Sequence, residues 1–400
     1  MDMSDDRQHE FFATCPRGLE GVLATELTGL GAQEVAPLAG GVKFAGTWMT
    51  CAKANRQSRV ASRILWRLRQ APYQSEHDVY RTALALPWAQ WFTEQETIKV
   101  SVSATKCPLN SLDFVTLRIK DAICDHFRER TGVRPSVDTA NPDHRIYAFL
   151  DARTVTLYLD TSGEALFKRG LRQVQGEAPL RENLAAGILM LTGWQADDGQ
   201  GSCQPLLDPM CGSGTFLMEA AQMALGIDAG RGREFGFERI KNFPHAAWQA
   251  WRDERDAMPV NIRALPIFGS DKFGDALKLA HYNLENAGLR DVVALKQCDV
   301  LEVNAPAENG IWVTNPPYGV RIGEQAALQA MYPQLGDVMK QRFAGWRCYF
   351  FTADPALAKG VRLSASKRTV LFNGALECRL FEYKVIAGSN RKPETPVKED

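Results

Sequence analysis

A chain of 400 residues with 45% apolar side chains can bury two or three separate cores, and ordinary Gly and Pro usage excludes a fibrous or low-complexity polypeptide. Its 47 basic and 47 acidic residues cancel, so binding to a polyanion has to come from local clusters and not from global charge. The nine cysteines contain no CxxC pair and are odd in number, which argues against a disulfide framework or a zinc site; no metal is expected.

The acidic start lacks a basic n-region and an apolar h-region, and no apolar run could cross a bilayer, so a cytoplasmic protein is expected. The first elements alternate: a strand at Phe11–Cys15, an amphipathic helix at Gly18–Leu30 closed by Gly31, and a strand around Val42–Phe44. A helix is then expected over Trp48–Leu65, with a strand at Leu65–Arg69. On that helix Arg56, Arg59, Arg63 and Arg67 would form one stripe, either a solvated face or a contact for a nucleic-acid backbone. A second unit follows, with a strand at Thr97–Ala104, a helix at Leu117–Arg130 stopped by Gly132, and strands Arg145–Asp151 and Thr154–Asp160.

From Gln173 the texture changes to long α/β alternation. A helix at Leu180–Leu191 precedes a buried strand and glycine loop at Leu206–Gly214. Further buried strands are expected at Ile267–Gly269, Val292–Gln297, Gly310–Thr314 and Arg347–Thr352. A hairpin of Thr369–Phe372 and Ala375–Val385 turns at Asn373-Gly374. The expected fold class is α/β, an open Rossmann-like sheet, mostly parallel with a C-terminal antiparallel hairpin, preceded by small α+β units. The long spacing from Asp208 to Asp271 implies an insertion around 226–263, which either covers the site or packs elsewhere.

Two segments carry chemistry. The first runs Asp208, Pro209, Met210, Cys211, Gly212, Ser213, Gly214, Thr215: a buried strand ending in a carboxylate, then a glycine turn opening a helix. Leu217 stands where a dinucleotide fingerprint needs its third glycine, so the loop suits a cofactor lying against the turn better than a pyrophosphate. The second runs Thr314, Asn315, Pro316, Pro317, Tyr318, Gly319 directly after the apolar strand Ile311–Val313. The prolines hold the asparagine at the carboxyl end of the sheet, where its amide oxygen and a backbone carbonyl can accept both hydrogens of an NH2 group. Tyr318 offers a ring to stack on a base. Asp271 and Asp299 each end a later strand; they could accept from ribose hydroxyls and from an adenine amine, or serve as plain helix caps.

Together the glycine turn and the Asn-Pro-Pro-Tyr turn resemble motifs I and IV of class I methyltransferases acting on exocyclic amines. With Gly176–Ala186, Lys120–Arg128 and Asn141–Ile146, the chain resembles the THUMP-containing bacterial rRNA guanine-N2 methyltransferases, and among them the RlmL-type half of the bifunctional RlmKL enzymes. The resemblance covers nearly the whole chain. It implies a ferredoxin-like domain (1–70), a THUMP RNA-binding domain (71–170), a class I methyltransferase domain (171–387) and a flexible tail (388–400). It also implies S-adenosylmethionine as cofactor and 23S rRNA or a precursor large subunit as partner. Glu182 and Asn183 would help hold the cofactor's methionine part, and Arg145, Lys168, Arg169 and Arg172 fall in the RNA-binding unit. The N7-methylating second half of the bifunctional enzymes is expected to be absent. The competing expectations are a DNA adenine-N6 methyltransferase, which could use the same Asn-Pro-Pro-Tyr chemistry, and a non-catalytic RNA-binding assembly factor.

Overall fold

In a computed structural model, residues 7–170, 180–197, 199, 201–317 and 324–386 are described. They divide into two compact units: the first holds the chain to 171 together with 181–187 and 225–261, and the second holds the remainder.

The first unit opens with β1 (His9–Thr14), α1 (Glu20–Gly29), β2 (Gln33–Leu38), β3 (Gly41–Gly46) and α2 (Trp48–Gln57). It continues with β4 (Arg63–Pro72), α3 (Glu76–Leu84), β5 (Ile98–Ala104), α4 (Leu112–Thr131), β6 (His144–Leu150) and β7 (Thr154–Asp160). These strands make one sheet in the order β2-β3-β1-β4-β7-β6-β5. The long β4 pairs with β1 on one side and with β7 on the other, so the two small modules expected from the sequence share a continuous sheet. Alternation decides its faces: Phe11, Ile64, Trp66, Leu159 and Ile146 are buried together on one side. Local chemistry sets the helix ends. Ser75 and Asp78 form a reciprocal capping box on α3, and Gly132 closes α4 at φ 76°.

The helix expected over Trp48–Leu65 is shorter. It starts on a Thr47 cap and stops at Gln57 because the next residues wrap a buried carboxylate. Glu26 accepts from the Ser58 hydroxyl at 2.5 Å and from the Arg59 amide at 2.7 Å, with the Val60 amide at 3.4 Å. The Arg59 and Val60 amides, spent on that side chain, cannot also continue the helix. Arg63 and Arg67 therefore lie on β4, and the four arginines share no helix face.

Helix α5 (Glu182–Thr192) begins in the first unit and ends in the second. Then come β8 (Leu206–Asp208) and α6 (Thr215–Ala224), after which α7 (His245–Ala257) belongs to the first unit. The expected insertion thus packs within the first unit: Trp248 stacks edge-on to Phe235 and Phe237, and Phe243 meets Trp48. The second unit continues with β9 (Ile267–Asp271), α8 (Gly274–Asn286), β10 (Ala294–Gln297) and β11 (Gly310–Thr314). It ends with α9 (Glu324–Arg342), β12 (Trp346–Thr352), α10 (Pro355–Gly360), β13 (Lys367–Asn373) and β14 (Leu376–Lys384).

The sheet order is β10-β9-β8-β11-β12-β14-β13, parallel until β14 runs antiparallel between β12 and β13. This is the expected Rossmann-like class. The hairpin pairs Asn373 with Leu376, so its two-residue loop is Gly374-Ala375, one residue later than the expected Asn373-Gly374 centre, with Gly374 at φ 66°. Trp312, Phe343, Trp346, Phe350 and Tyr383 form the core on one side of the sheet. The order reverses between β8 and β11, so their carboxyl ends open a crevice suited to a ligand.

Candidate active site

The glycine loop lies at that switch point. β8 is fully buried, and its last residue, Asp208, is 2% exposed. Gly212 and Gly214 take φ of 51° and 81°, which L side chains rarely adopt, and a Cβ on Gly212 would meet nothing within 4 Å. The loop is pinned from both neighbours. The Cys211 amide donates to the Ser270 carbonyl at 2.9 Å, the Gly212 amide to Asp271 Oδ2 at 3.0 Å, and Asn283 Nδ2 to the Ser213 carbonyl at 3.1 Å. Gly269 is equally constrained, because a Cβ there would come within 2.3 Å of Leu217.

The two sequence motifs meet through one contact. Thr314 Oγ1, at the end of β11, donates to Asp208 Oδ1 at 2.8 Å, and the Met210 amide reaches the same oxygen at 3.2 Å. Asn315 follows immediately, half-buried, with Pro316 buried and Pro317 exposed. Tyr318 lies outside the described residues. Burial pushes the Asp208 carboxyl up to about 7, against the Thr314 and Met210 hydrogen bonds, and the neighbouring Asp271 adds to the rise. Burial also raises the Cys211 thiol, so it is no thiolate nucleophile.

Asp271 ends β9 and accepts from Gly212 and from the Phe273 amide at 3.0 Å; a carboxylate keeps further lone pairs for ligand hydroxyls. The buried Ser270 hydroxyl beside it has no hydrogen-bond partner. Asp299 follows β10. The Leu301 amide first, and Lys272 at 3.1 Å, hold its carboxyl below the usual range. Glu182 and Asn183 stand at the start of α5, in the first unit. Asn183 is fully buried and donates to the Val60 carbonyl at 3.1 Å and Ser62 Oγ at 2.9 Å, so its amide nitrogen fastens a loop and is not a ligand donor. Glu182 is 8% exposed.

The expected RNA contacts divide. Arg56 is 2% exposed and bound to Asp228 and Asp256, and Arg59 donates to the Ile227 carbonyl; both are internal braces, which corrects their expected RNA role. Arg169 is similarly buried, donating to the carbonyls of Leu166 and Arg59. Arg63 pairs with Asp160 and Arg67 with Glu10, both partly exposed. Arg145 is half-buried and bonds the Gly163 carbonyl, while Lys168 is exposed beside Glu164. Arg172 lies outside the described residues, as do 176–179 of the segment ahead of the glycine loop.

Sequence reasoning read Thr314 as the first residue of the Asn-Pro-Pro-Tyr segment but gave it no role, and it did not single out Asn283. Their partners lie on strand β8 and in the loop after it, far away in sequence, and only the adjacency of β8, β9 and β11 reveals them.

Comparison with known proteins agrees with this arrangement. Residues 169–382 match the family described as RMKL-like, methyltransferase domain. The chain belongs to that family. Residues 73–160 match the THUMP domain, and 10–65 the RlmL ferredoxin-like domain. Among curated relatives, the ribosomal RNA large subunit methyltransferase K/L of Shewanella baltica is 39% identical over 98% of this chain and 55% of its own length. Its counterpart from Aeromonas hydrophila is 39% identical over 95% of this chain and 55% of its own length. The chain therefore spans about half the length of the curated relatives it matches. Among solved structures, a protein complexed with SAH superposes with TM-score 0.84 at 29% identity, covering 96% of this chain and all of that one. A predicted N6-adenine-specific DNA methylase from Listeria monocytogenes also gives TM-score 0.84, at 28% identity, covering 95% and 97%. No helix among the described residues is long and apolar enough to cross a membrane.

Proposed function

We propose that this protein transfers a methyl group from S-adenosylmethionine to the exocyclic N2 amine of a guanine in large-subunit (23S) rRNA. The observation that carries the reading is the Thr314–Asp208 hydrogen bond, which fixes the Asn315 turn beside the glycine loop. The residues present fit the cofactor. The loop leaves the space at Gly212 open, Asp271 retains acceptor capacity for ribose hydroxyls, and the unpartnered Ser270 hydroxyl lies buried beside it. Asp208 and residues 209–215 would line the nucleoside, and Asp299 would meet the adenine amine. When bound, the cofactor supplies an electrophilic sulfonium methyl.

Asn315 Oδ1 and the Pro316 carbonyl accept the two amine hydrogens. They draw the nitrogen lone pair out of conjugation with the ring and aim it at the methyl carbon. In that transfer the amine would gain the methyl as the carbon–sulfur electron pair stays with the cofactor, and the nitrogen would release one proton to solvent. No strong base is required. To enter the turn a base has to leave its stack, and Tyr318 would replace the lost stacking. The rRNA assignment follows from the names of the curated relatives and from the match to the THUMP domain. The test is methyl transfer from labelled S-adenosylmethionine to RNA and DNA of a strain lacking the gene, followed by nucleoside mass spectrometry. N2-methylguanosine in large-subunit rRNA is expected. N6-methyladenine in DNA would replace the reading with the adenine one, and cofactor binding with no transfer to RNA, DNA or precursor subunits would leave a non-catalytic factor.

A further inference from the structure

Phe11, Ile64, Trp66, Ile146 and Leu159 bury one face of the first unit's sheet, and the strand registers define the other. Phe12 pairs with Lys43 and Leu65, Arg67 with Tyr158, Tyr158 with Tyr147, and Lys99 with Arg145. Residues directly opposite each other in a sheet share a face, so these side chains project together. Phe149 joins them two residues beyond Tyr147 and is 40% exposed. Phe12, Tyr147 and Tyr158 are half-buried. The ring of Phe12 lies against Gly41, where a Cβ would come within 2.7 Å of its Cζ, and its centroid is 6.3 Å from that of Tyr158. Absence of a side chain at Gly41 lets the ring lie down on the sheet.

Cations frame this aromatic row. Lys43 and Arg67 converge on the single carboxylate of Glu10, and Arg63 on that of Asp160, with the Arg63 guanidinium 5.8 Å from the Tyr147 ring centroid. Arg145 spends its side chain on neutral carbonyls, as does Lys99 on that of Thr139. Five cations, against Glu10 and Asp160 on the face and Asp138 and Glu164 within electrostatic reach of Arg145, leave the face modestly positive although the chain as a whole is neutral. Flat rings in a row with basic side chains at their margins match an unpaired polynucleotide, whose bases need stacking surfaces and whose phosphates need cations. A duplex presents phosphates but no base faces.

We infer that the open face of this sheet binds single-stranded RNA, with unpaired bases stacked on Phe12, Tyr158, Tyr147 and Phe149 and phosphates met by Lys43, Arg67 and Arg145. The inference rests on the reading that RNA is the substrate, and it assigns the single-stranded recognition to a surface distinct from the Asn315 turn.

The test uses the full chain and a fluorescent single-stranded RNA of mixed sequence, with the same sequence as a duplex for comparison. The variants are Phe149→Leu and Tyr147→Leu, which keep apolar bulk on the sheet but remove the flat ring. Each is expected to weaken single-strand binding by at least about fivefold, leaving the salt dependence of affinity unchanged. Lys43→Gln with Arg145→Gln should instead flatten that salt dependence. If the leucine variants bind as tightly as the wild type, or if duplex binding falls in parallel with single-strand binding, the stacking surface is wrong. Should Tyr147→Leu disturb folding, photocrosslinking of 5-iodouridine-substituted RNA to the unaltered protein decides: crosslinks at the four rings uphold the surface, and crosslinks elsewhere overturn it. Labelled methyl transfer to rRNA is followed in parallel. Transfer that persists with unaltered binding in the leucine variants refutes this surface alone, and ring-dependent binding without transfer to any RNA refutes the enzymatic reading alone.

Discussion

Replacing Asp208 by Asn tests whether the site holds a carboxyl whose charge is costly until a cationic ligand arrives. Asp208 is buried among β8, β11 and the glycine loop, with its carboxyl pushed up to about 7 from an ordinary 3.8. That gap corresponds to about 4 kcal/mol of differential stability between the protonated and ionised forms. Proton counting gives the sign. Between its unfolded pKa and about 7, the folded carboxyl keeps a proton that the unfolded one has released, so the wild type loses stability as pH rises. Above about 7 both states are ionised and the slope vanishes. Asp208→Asn cannot titrate. It keeps an oxygen for the Thr314 hydroxyl and the Met210 amide, although its new NH2 group can cost a constant roughly 1–3 kcal/mol if unpaired. The diagnostic is therefore the pH dependence of the stability difference. Measured by denaturant titration, the variant should gain about 3 kcal/mol on the wild type between about pH 5 and 7, and nothing further by about pH 8. A difference that stays constant across that range, or moves the other way, would refute the argument. The same variant should lose the rise in S-adenosylmethionine affinity that the wild type shows between about pH 6 and 8, because the sulfonium cation favours the ionised carboxylate.

Other perturbations separate chemistry from scaffolding. Asn315→Ala should lower the rate of methyl transfer by about a hundredfold or more, with cofactor affinity by calorimetry held within about twofold; equal losses in both would place Asn315 in cofactor binding. Arg56→Ala should destabilise the chain by about 3 kcal/mol, because Asp228, 6% exposed, would keep only Arg255 and Gln57, while RNA affinity of the folded protein stays unchanged. A fall in that affinity would restore Arg56 to the RNA surface. Gly336→Ala in α9 offers about 1 kcal/mol of helix propensity, but its Cβ would sit 1.9 Å from the Val361 carbonyl oxygen. A net loss of roughly 1–3 kcal/mol is expected in thermal melts, from forcing α10 away.

What the sequence disclosed follows from how far each signal reaches. β11 was legible because a strand buried on both faces is a continuous apolar run, and the final hairpin because Gly374 marks its turn, although the loop is Gly374-Ala375 and Asn373 stays in the strand. β2 was missed since its side chains are nearly all exposed and show no alternation. α3 went unread although Ser75 and Asp78 spell out its capping box. The arginine stripe was misread for a non-local reason. Helical spacing continues through Arg56, Arg59 and Arg63, but what ends the helix is Glu26, and what buries Arg56 is a pair of carboxylates at 228 and 256. Charge spacing along a chain therefore reports a surface only where no distant counter-charge folds onto it. The sheet face of the first unit illustrates the converse. Phe12, Arg67, Tyr147 and Tyr158 have no common spacing, and only register makes them neighbours. The catalytic candidates escaped both problems because strand ends and turns are local devices. Their mutual placement did not, since it depends on β8 and β11 lying side by side. The Thr314–Asp208 bond is thus the point at which two locally legible motifs become one site, and a Thr314→Val change should uncouple them without altering either motif's own turn.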